Sequence, residues 1–326
     1  MTTEAATLEP ARGDVSLPLA GPWLAGVAIA GVWCVVAAAS VATGAMDLPF
    51  GTVAGVLASR MGLGEGVGAD AVAESVVWTL RAPRLLLASL TGAALAVAGV
   101  ATQGLFRNPL ADPGLLGISS GAAVGAVAAI AFGWGAIPGL AGVTSGGAVA
   151  LAAFVGALCA GGLVVALGAG QREAPIVTML LVGIAINAAA GAALGAMSFV
   201  ATDAQLRNIT MWTLGSVAGA TWTNAALAAG VVAVSGALVW RVRRALDLLQ
   251  LGEAEAYHAG VEVRRVKRRL VVAAAGLVGG VVAFTGIIGF VGLVVPHIAR
   301  GLFGPHHARL VPLAAWLGAT LLAAAD

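Results

Sequence analysis

The side chains that could carry chemistry are few and scattered. The four histidines are His258, His297, His306 and His307, and only His297 lies well within an apolar run. Asp112, Glu173 and Asp203 fall between apolar runs. Ion-coupled transport places ionisable groups inside the bilayer, where they are costly and therefore functional, and no charge falls in the middle of a predicted span. His258, His306 and His307 read as solvated. Cys34 and Cys159 sit singly in apolar runs and read as small buried hydrophobes, not as a disulfide or metal pair. Met179, Met197 and Met211 read as packing residues. A GxxxxGK[ST] phosphate loop is missing, and the sole lysine, Lys267, stands in VRRVKRR. No His, Asp and Glu cluster gathers at one membrane face, as a catalytic centre would require. The chain is therefore read as non-enzymatic, binding no metal or cofactor and hydrolysing no ATP itself. Either another subunit supplies the energy, or the chain is a passive conduit.

That conclusion turns attention to Arg241–Arg269, RVRRALDLLQLGEAEAYHAGVEVRRVKRR, which holds eight of the 17 Lys and Arg residues. A dense basic segment between two apolar runs reads as a cytoplasmic loop. Leu246, Leu248, Leu249, Leu251 and Ala254 alternate there with Asp247, Glu253 and Glu255. Gly252 interrupts the run and Gly260 could close a helix by an αL cap. The pattern suits one or two short helices at the membrane surface with a face for a soluble partner. A basic loop anchored at lipid headgroups is the other reading.

The elements around it are membrane spans. The chain is 60% apolar, 10% charged, with a mean hydropathy of +0.99, against about 25% charged residues in soluble domains. Residues 1–20 read as a cytoplasmic tail and 21–326 as one transmembrane unit. Spans are expected at Leu24–Val41, Leu85–Leu105, Gly114–Phe132, Gly147–Leu167, Ile176–Val200, Asn224–Trp240 and Leu310–Ala325. Leu270–Ala299 is read as a hairpin broken at Gly286 and Gly289, giving nine spans. Residues 42–83 read as too polar to cross, with a surface helix around Val53–Leu57. With the N-terminus inside, 13 of the 17 basic residues are cytoplasmic, and Arg60, Arg81, Arg84 and Arg207 are outside, as the positive-inside bias requires. Gly92-x3-Ala96-x2-Gly99 recurs as Gly279-x3-Ala283-x2-Gly286, and Pro109 as Pro296, at an offset of 187. Under this topology the copies enter from opposite sides, an inverted repeat of the transporter kind.

Two shorter features stand out. Asn108-Pro109-Leu110 would make a tight cytoplasmic turn, because proline holds the preceding residue extended; it reads as a gate element or an ordinary helix-breaking loop. Arg81 and Arg84, at the outer surface, could pair with acids on a partner or snorkel to headgroups.

The stretch RAPRLLLASLTGAALAVAGVATQGLFRNPLADPGLLGISSGAAVGA (Arg81–Ala126) closely resembles the FecCD-type permeases, membrane subunits of ABC importers for iron–siderophore complexes, haem and cobalamin. MWTLGSVAGATW (Met211–Trp222), LGEAEAYHAGV (Leu251–Val261) and GIIGFVGLVVPHIARGLFGPHHARLVPL (Gly286–Leu313) match in the same order. The resemblance runs from about Leu24 to the end. It implies an all-α homodimer of ten-span subunits in the bacterial inner membrane, with the path at the dimer interface. Two ATPase subunits, carrying ATP and Mg, would dock on Leu251, Gly252, Glu253, Ala256 and Gly260. A periplasmic binding protein would meet Arg81 and Arg84, and Asn108, Pro109 and Leu110 would contribute to the inner gate. No nucleic acid is implied. The family continues past LLAAAD with another outer basic contact and a tenth span, so the sequence is expected to be truncated. TDAQLRNITMWTLGSVAGATW leans toward the haem permeases, with siderophores and cobalamin as alternatives.

Overall fold

The computed structural model describes residues 22–44, 46–60, 62, 70–133, 145–169 and 176–326. The tail expected at 1–20 and the loop acid Glu173 lie outside them. Among the described residues the chain forms helices and no strand. In a bilayer a spanning segment must satisfy its backbone internally, and a helix does so.

Helix α1 (Pro22–Ala42) is followed by the surface helix α2 (Phe50–Arg60), whose Val53 and Val56 are buried against Val41, Ala42 and Val77. Helix α3 (Ala71–Ser75) passes through a π-helical turn at Val76–Arg81 into α4 (Ala82–Phe106). The reading of 42–83 as non-spanning is thus corrected at its end: Ala71–Phe106 is one continuous helical run of 36 residues. The π turn makes this possible across Pro83. Ala82 bonds the carbonyl of Val77, and Pro83 has no N–H to offer Trp78 behind it. The indole of Trp222 donates to that carbonyl instead, at 2.8 Å.

A 3-10 turn (Pro113–Leu116) leads to α5 (Ile118–Phe132), then α6 (Ser145–Val164) and α7 (Ile176–Val200). Helix α8 (Asp203–Leu214) opens with a capping box between Thr202 and Gln205. Helix α9 (Trp222–Leu249) runs nine residues past the expected end at Trp240. Much of the basic stretch is therefore not loop. Residues 241–249 finish α9, α10 (Glu253–His258) is short, and 263–269 begin α11 (Val263–Thr285). The expected hairpin break falls at Gly286, with φ +68°, before α12 (Val291–Phe303); α13 (His307–Ala325) follows.

Seven of these helices are long and apolar enough to cross a membrane, while α5 and α12 are shorter apolar helices. The bundle is built on α4 and α11, each 78% buried over its most apolar window, against 6% for α1 and 17% for α7. The two run antiparallel: Leu87 at the start of α4 packs with Phe284 at the end of α11. Both carry the repeated glycine pattern. Gly92 meets Gly318 of α13, and a Cβ on either would overlap the other's carbonyl oxygen. Gly99 likewise sits against the carbonyl of Gly292, the one that Pro296 inside α12 leaves without its usual donor. Small residues let the backbones touch. Helix α1 is held from outside: Trp33 donates to Ser89 at 3.0 Å and stacks edge-on against Trp316.

Cys34 and Cys159 are exposed on the bundle surface, a correction to their reading as buried. Helices α1 and α6 are apolar all round, so their sequence does not mark the inward face. Met179 is fully buried, whereas Met211 is exposed.

Candidate functional site

The bundle has two chemically distinct ends. At one, the ends of α4, α9 and α12 meet the starts of α11 and α13, bringing together the basic residues of 241–269 with Arg107, Arg300 and Arg309. At the other lie Arg60, Arg81, Arg84 and Arg207.

At the basic end, the residues expected to couple to an ATPase form one tight turn–helix–turn. Gly252 is the N-cap of α10 at φ +135°, and a Cβ there would strike the carboxylate of Glu255. Its carbonyl accepts from the Ala256 N–H at 3.1 Å. Ala256 is fully buried. At the other end Gly260 takes φ +85°; its N–H bonds the Tyr257 carbonyl and that of Val261 bonds the Ala256 carbonyl, both at 2.9 Å. This is the Schellman closure that glycine permits. Leu251 and Tyr257 project from the unit, 71% and 70% exposed. Glu253 turns inward: its carboxylate holds Lys267 Nζ at 2.6 Å, and that lysine side chain is only 6% exposed. Glu253 thus locks α10 onto α11, and the exposed face carries Leu251 and Tyr257 beside Glu255 and His258.

Asn108, Pro109 and Leu110 are all exposed at the same end. Helix α4 ends where Arg107 adopts φ +51°, and the Asn108 N–H bonds back to the Gln103 carbonyl. The Asn108 side chain accepts from the Leu110 N–H at 2.9 Å, an Asx turn that shapes the connection. Asp112 then caps the 3-10 turn through the Gly114 N–H at 2.7 Å. Burial raises its pKa above the ordinary carboxylate value, and that N–H bond pulls it partly back.

At the far end Arg81 and Arg84 are one helical turn apart, and each has a partner within the chain. Arg81 donates to the carbonyls of Val41 at 2.6 Å, Ala42 at 3.0 Å and Met46. Val41 and Ala42 stand in the last turn of α1, where carbonyls lack a helical donor; Ala42 also accepts from the Leu48 N–H at 3.1 Å. Arg84 makes a two-pronged pair with Asp326, 2.7 Å to each carboxylate oxygen, and stays 41% exposed. Both arginines are half-buried. Beside them Trp78 and Trp222 stack at 4.8 Å, with Arg60 over Trp78 and paired to Glu74 at 2.7 Å.

The structure also assembles residues that sequence reasoning passed over. His307, expected to be solvated, is fully buried and faces Asp247, with Nδ1 2.6 Å from Oδ1. Gln250 donates to the Gly104 carbonyl at 3.0 Å, and Gln103, itself buried, donates to Leu293 at 3.1 Å. Asp247 is the one acid of RVRRALDLLQ, a faint signal; nothing in the spacing marks His307 over its neighbour His306, which is exposed. His297 is exposed as well. An apolar groove of about 750 Å³ runs between α5, α6 and α7, lined by Gly121, Gly125, Leu151, Gly156, Leu163 and Ala190 among others.

The FecCD transport family matches residues 23–326. The chain is 43% identical over 253 residues to the hemin transport system permease protein HmuU of Yersinia pestis, covering 77% of this chain and 74% of that one. It is 38% identical over 291 residues to the cobalamin import system permease protein BtuC of Halobacterium salinarum, covering 89% and 74%. With the vitamin B12 import system permease protein BtuC of Vibrio cholerae it shares 41% over 255 residues, covering 78% and 74%. A solved inward-facing conformation of a metal-chelate type ABC transporter aligns with a TM-score of 0.79 and 26% identity, covering 94% of this chain and 89% of that one. With seven span-length helices among its described residues and its match from residue 23 onward, the chain belongs to the FecCD transport family and is a transmembrane permease.

Proposed function

We propose that this chain is the membrane subunit of an ATP-driven importer that carries haem from periplasm to cytoplasm. It works as a homodimer in the inner membrane, with two ATPase subunits at the basic end and a periplasmic binding protein at the Arg84 end. The N-terminus is cytoplasmic. Nine spans, α5 and α12 included, are related by the inverted repeat carried on α4 and α11.

One observation supports this most directly. Helix α10 is fixed to its own chain by Ala256 and by the Glu253–Lys267 pair, yet holds Leu251 and Tyr257 out to solvent. A rigid unit that presents Leu251 and Tyr257 among the exposed Glu255 and His258 suits a partner, since large exposed apolar side chains rimmed by polar ones mark interaction sites. Lipid anchoring would not need two capped turns. ATP binding and hydrolysis in the partner then alternate the path between outward-open and inward-open states. The turn at Asn108, Pro109 and Leu110 moves as part of the inner gate. Arg84 offers its charge to an acidic face of the binding protein, and Arg81 holds α1 in place beside it.

The lean to haem rests on the TDAQLRNITMWTLGSVAGATW stretch and on the 43% identity to a hemin permease. Cobalamin is the second reading, because cobalamin permeases stand at 38% and 41%. The deciding experiment is ATP-driven uptake into proteoliposomes holding this chain and its co-purifying ATPase. The binding protein is supplied outside, with haem, a ferric siderophore and cobalamin offered in parallel. Haem accumulation alone supports the proposal; uptake of cobalamin alone replaces the substrate and keeps the mechanism. ATP-independent uptake by the chain alone would make it a stand-alone carrier and reject the mechanism.

A further inference from the structure

Helix α9 does not stop where its apolar run stops, and its extra turns reach three other elements. Leu246, fully buried, lies against Gly104 near the end of α4. A Cβ on Gly104 would stand 2.8 Å from the Leu246 Cδ2 and 2.9 Å from the His307 Nε2, so the three groups fit without slack. Asp247 Oδ1 accepts twice from the residue that opens α13: from the His307 backbone N–H at 2.9 Å and from its ring Nδ1 at 2.6 Å. Gln250 Nε2 donates to the Gly104 carbonyl at 3.0 Å. Just beyond Gly104, at Arg107, α4 ends and the Asn108–Leu110 turn begins; just beyond Gln250, at Glu253, α10 begins.

We infer that residues 246–250 form the joint through which movement of α10 reaches the ends of α4 and α13, with Asp247 and His307 as its positioning residues. The inference rests on the permease reading above. Helix α10 is seated on α9 and α11. Push α10, and the last turn of α9 moves with it. Donors to a carboxylate make bonds roughly twice as strong as neutral ones, and a buried ring that loses such a partner is left unsatisfied. The joint therefore carries displacement to α4 and α13 instead of absorbing it.

The test is transport per ATP hydrolysed, measured in the reconstituted complex with haem, a ferric siderophore and cobalamin each offered. This ratio is not moved by a lower yield of assembled complex, which lowers both rates together. For His307→Ala and for Asp247→Ala the ATPase should co-purify in wild-type amounts and hydrolyse ATP at a rate within about twofold of wild type. Chelate moved per ATP should fall about tenfold, the scale of one lost charge-assisted hydrogen bond. The double variant should be no worse than either single one, because the two side chains act as a unit. His307→Asn, which keeps a donor for Asp247, should recover most of the loss. An unchanged ratio in an assembled His307→Ala complex overturns the inference, and so do single effects that multiply in the double variant. If His307→Ala does not assemble, Gln250→Ala carries the test, since Gln250 is largely exposed. Its ratio should fall about threefold, and no fall overturns the inference. Wild-type chain that holds no ATPase rejects the permease reading and the joint with it. Wild-type transport with unaffected variants rejects the joint alone.

Discussion

Replacing Glu253 by Gln probes how the docking unit is held. The pair it breaks has an N–O distance of 2.6 Å, with the lysine side chain 6% and the glutamate 33% exposed. At an effective dielectric of about 20 the gross attraction is about 6 kcal/mol. Desolvating Lys267 offsets several kcal/mol of that, leaving a net contribution of about 1–3 kcal/mol for a hydrogen bond to a charged group. Glutamine keeps the shape and a neutral acceptor but removes the negative charge that faces Lys267 across this pair. The loss should appear locally, because α10 is small and its amides are protected by its own capped turns. Hydrogen exchange at the amides of Ala256, Ala259, Gly260 and Val261 should quicken about 10- to 100-fold, at about 1.4 kcal/mol per factor of ten. Exchange in the middle of α4 and α11 should not change. ATP-driven uptake should fall while ATP hydrolysis continues. Wild-type protection at those four amides would refute the reasoning, since it would mean that Ala256 and the glycine turns hold α10 without the ion pair.

Gly92→Val should destabilise the bundle by about 1–3 kcal/mol or more, as overpacking does, seen as a lower unfolding temperature in detergent; an unchanged temperature would mean that α4 and α13 can part freely. Arg81→Lys should also lower that temperature, because one ammonium cannot reproduce a planar fork bonded to Val41, Ala42 and Met46. Arg84→Glu sets a second carboxylate against Asp326, whose side chain is only 10% exposed, so it should lower that temperature as well as weaken affinity for the binding protein; wild-type affinity in the folded variant would remove Arg84 from the docking surface. Trp222→Phe should cost about 1 kcal/mol, the worth of one hydrogen bond, by leaving the Trp78 carbonyl without its indole donor; unfolding in detergent at the wild-type temperature would show that bond to be dispensable.

Seven of the nine expected spans were legible among the described residues, because twenty apolar residues in a row have few other uses; Ile176–Val200 was placed at both of its ends, and the break after Thr285 was marked by Gly286. The boundaries that failed did so for a common reason. Polar residues were taken to end a helix, but Arg241–Leu249 and Ala71–Arg81 are helical extensions that carry their polarity past the apolar run. The closing role of Gly260 was legible, since it takes φ +85°; Gly252, read as an interruption of the run, takes φ +135°. The partners of Glu253, Arg81 and His307 were not, because each is met across a turn or from another helix and no periodicity encodes that meeting. Exposure of Cys34 and Cys159 was illegible for the opposite reason: helices apolar on every side give no sign of which side faces in.

The glycine seams that hold α4 to α12 and α13 have an entropic character unlike the rest of the bundle. Gly92, Gly318, Gly99 and Gly292 have no rotamers, so closing these seams freezes no side chain and opening them releases none. Their attraction is dispersion between backbones, and a gap of about 0.5–1 Å already forfeits a quarter to a half of it. Such a contact weakens within a fraction of an ångström, so a helix gripped that way swings with its neighbours more readily than it parts from them.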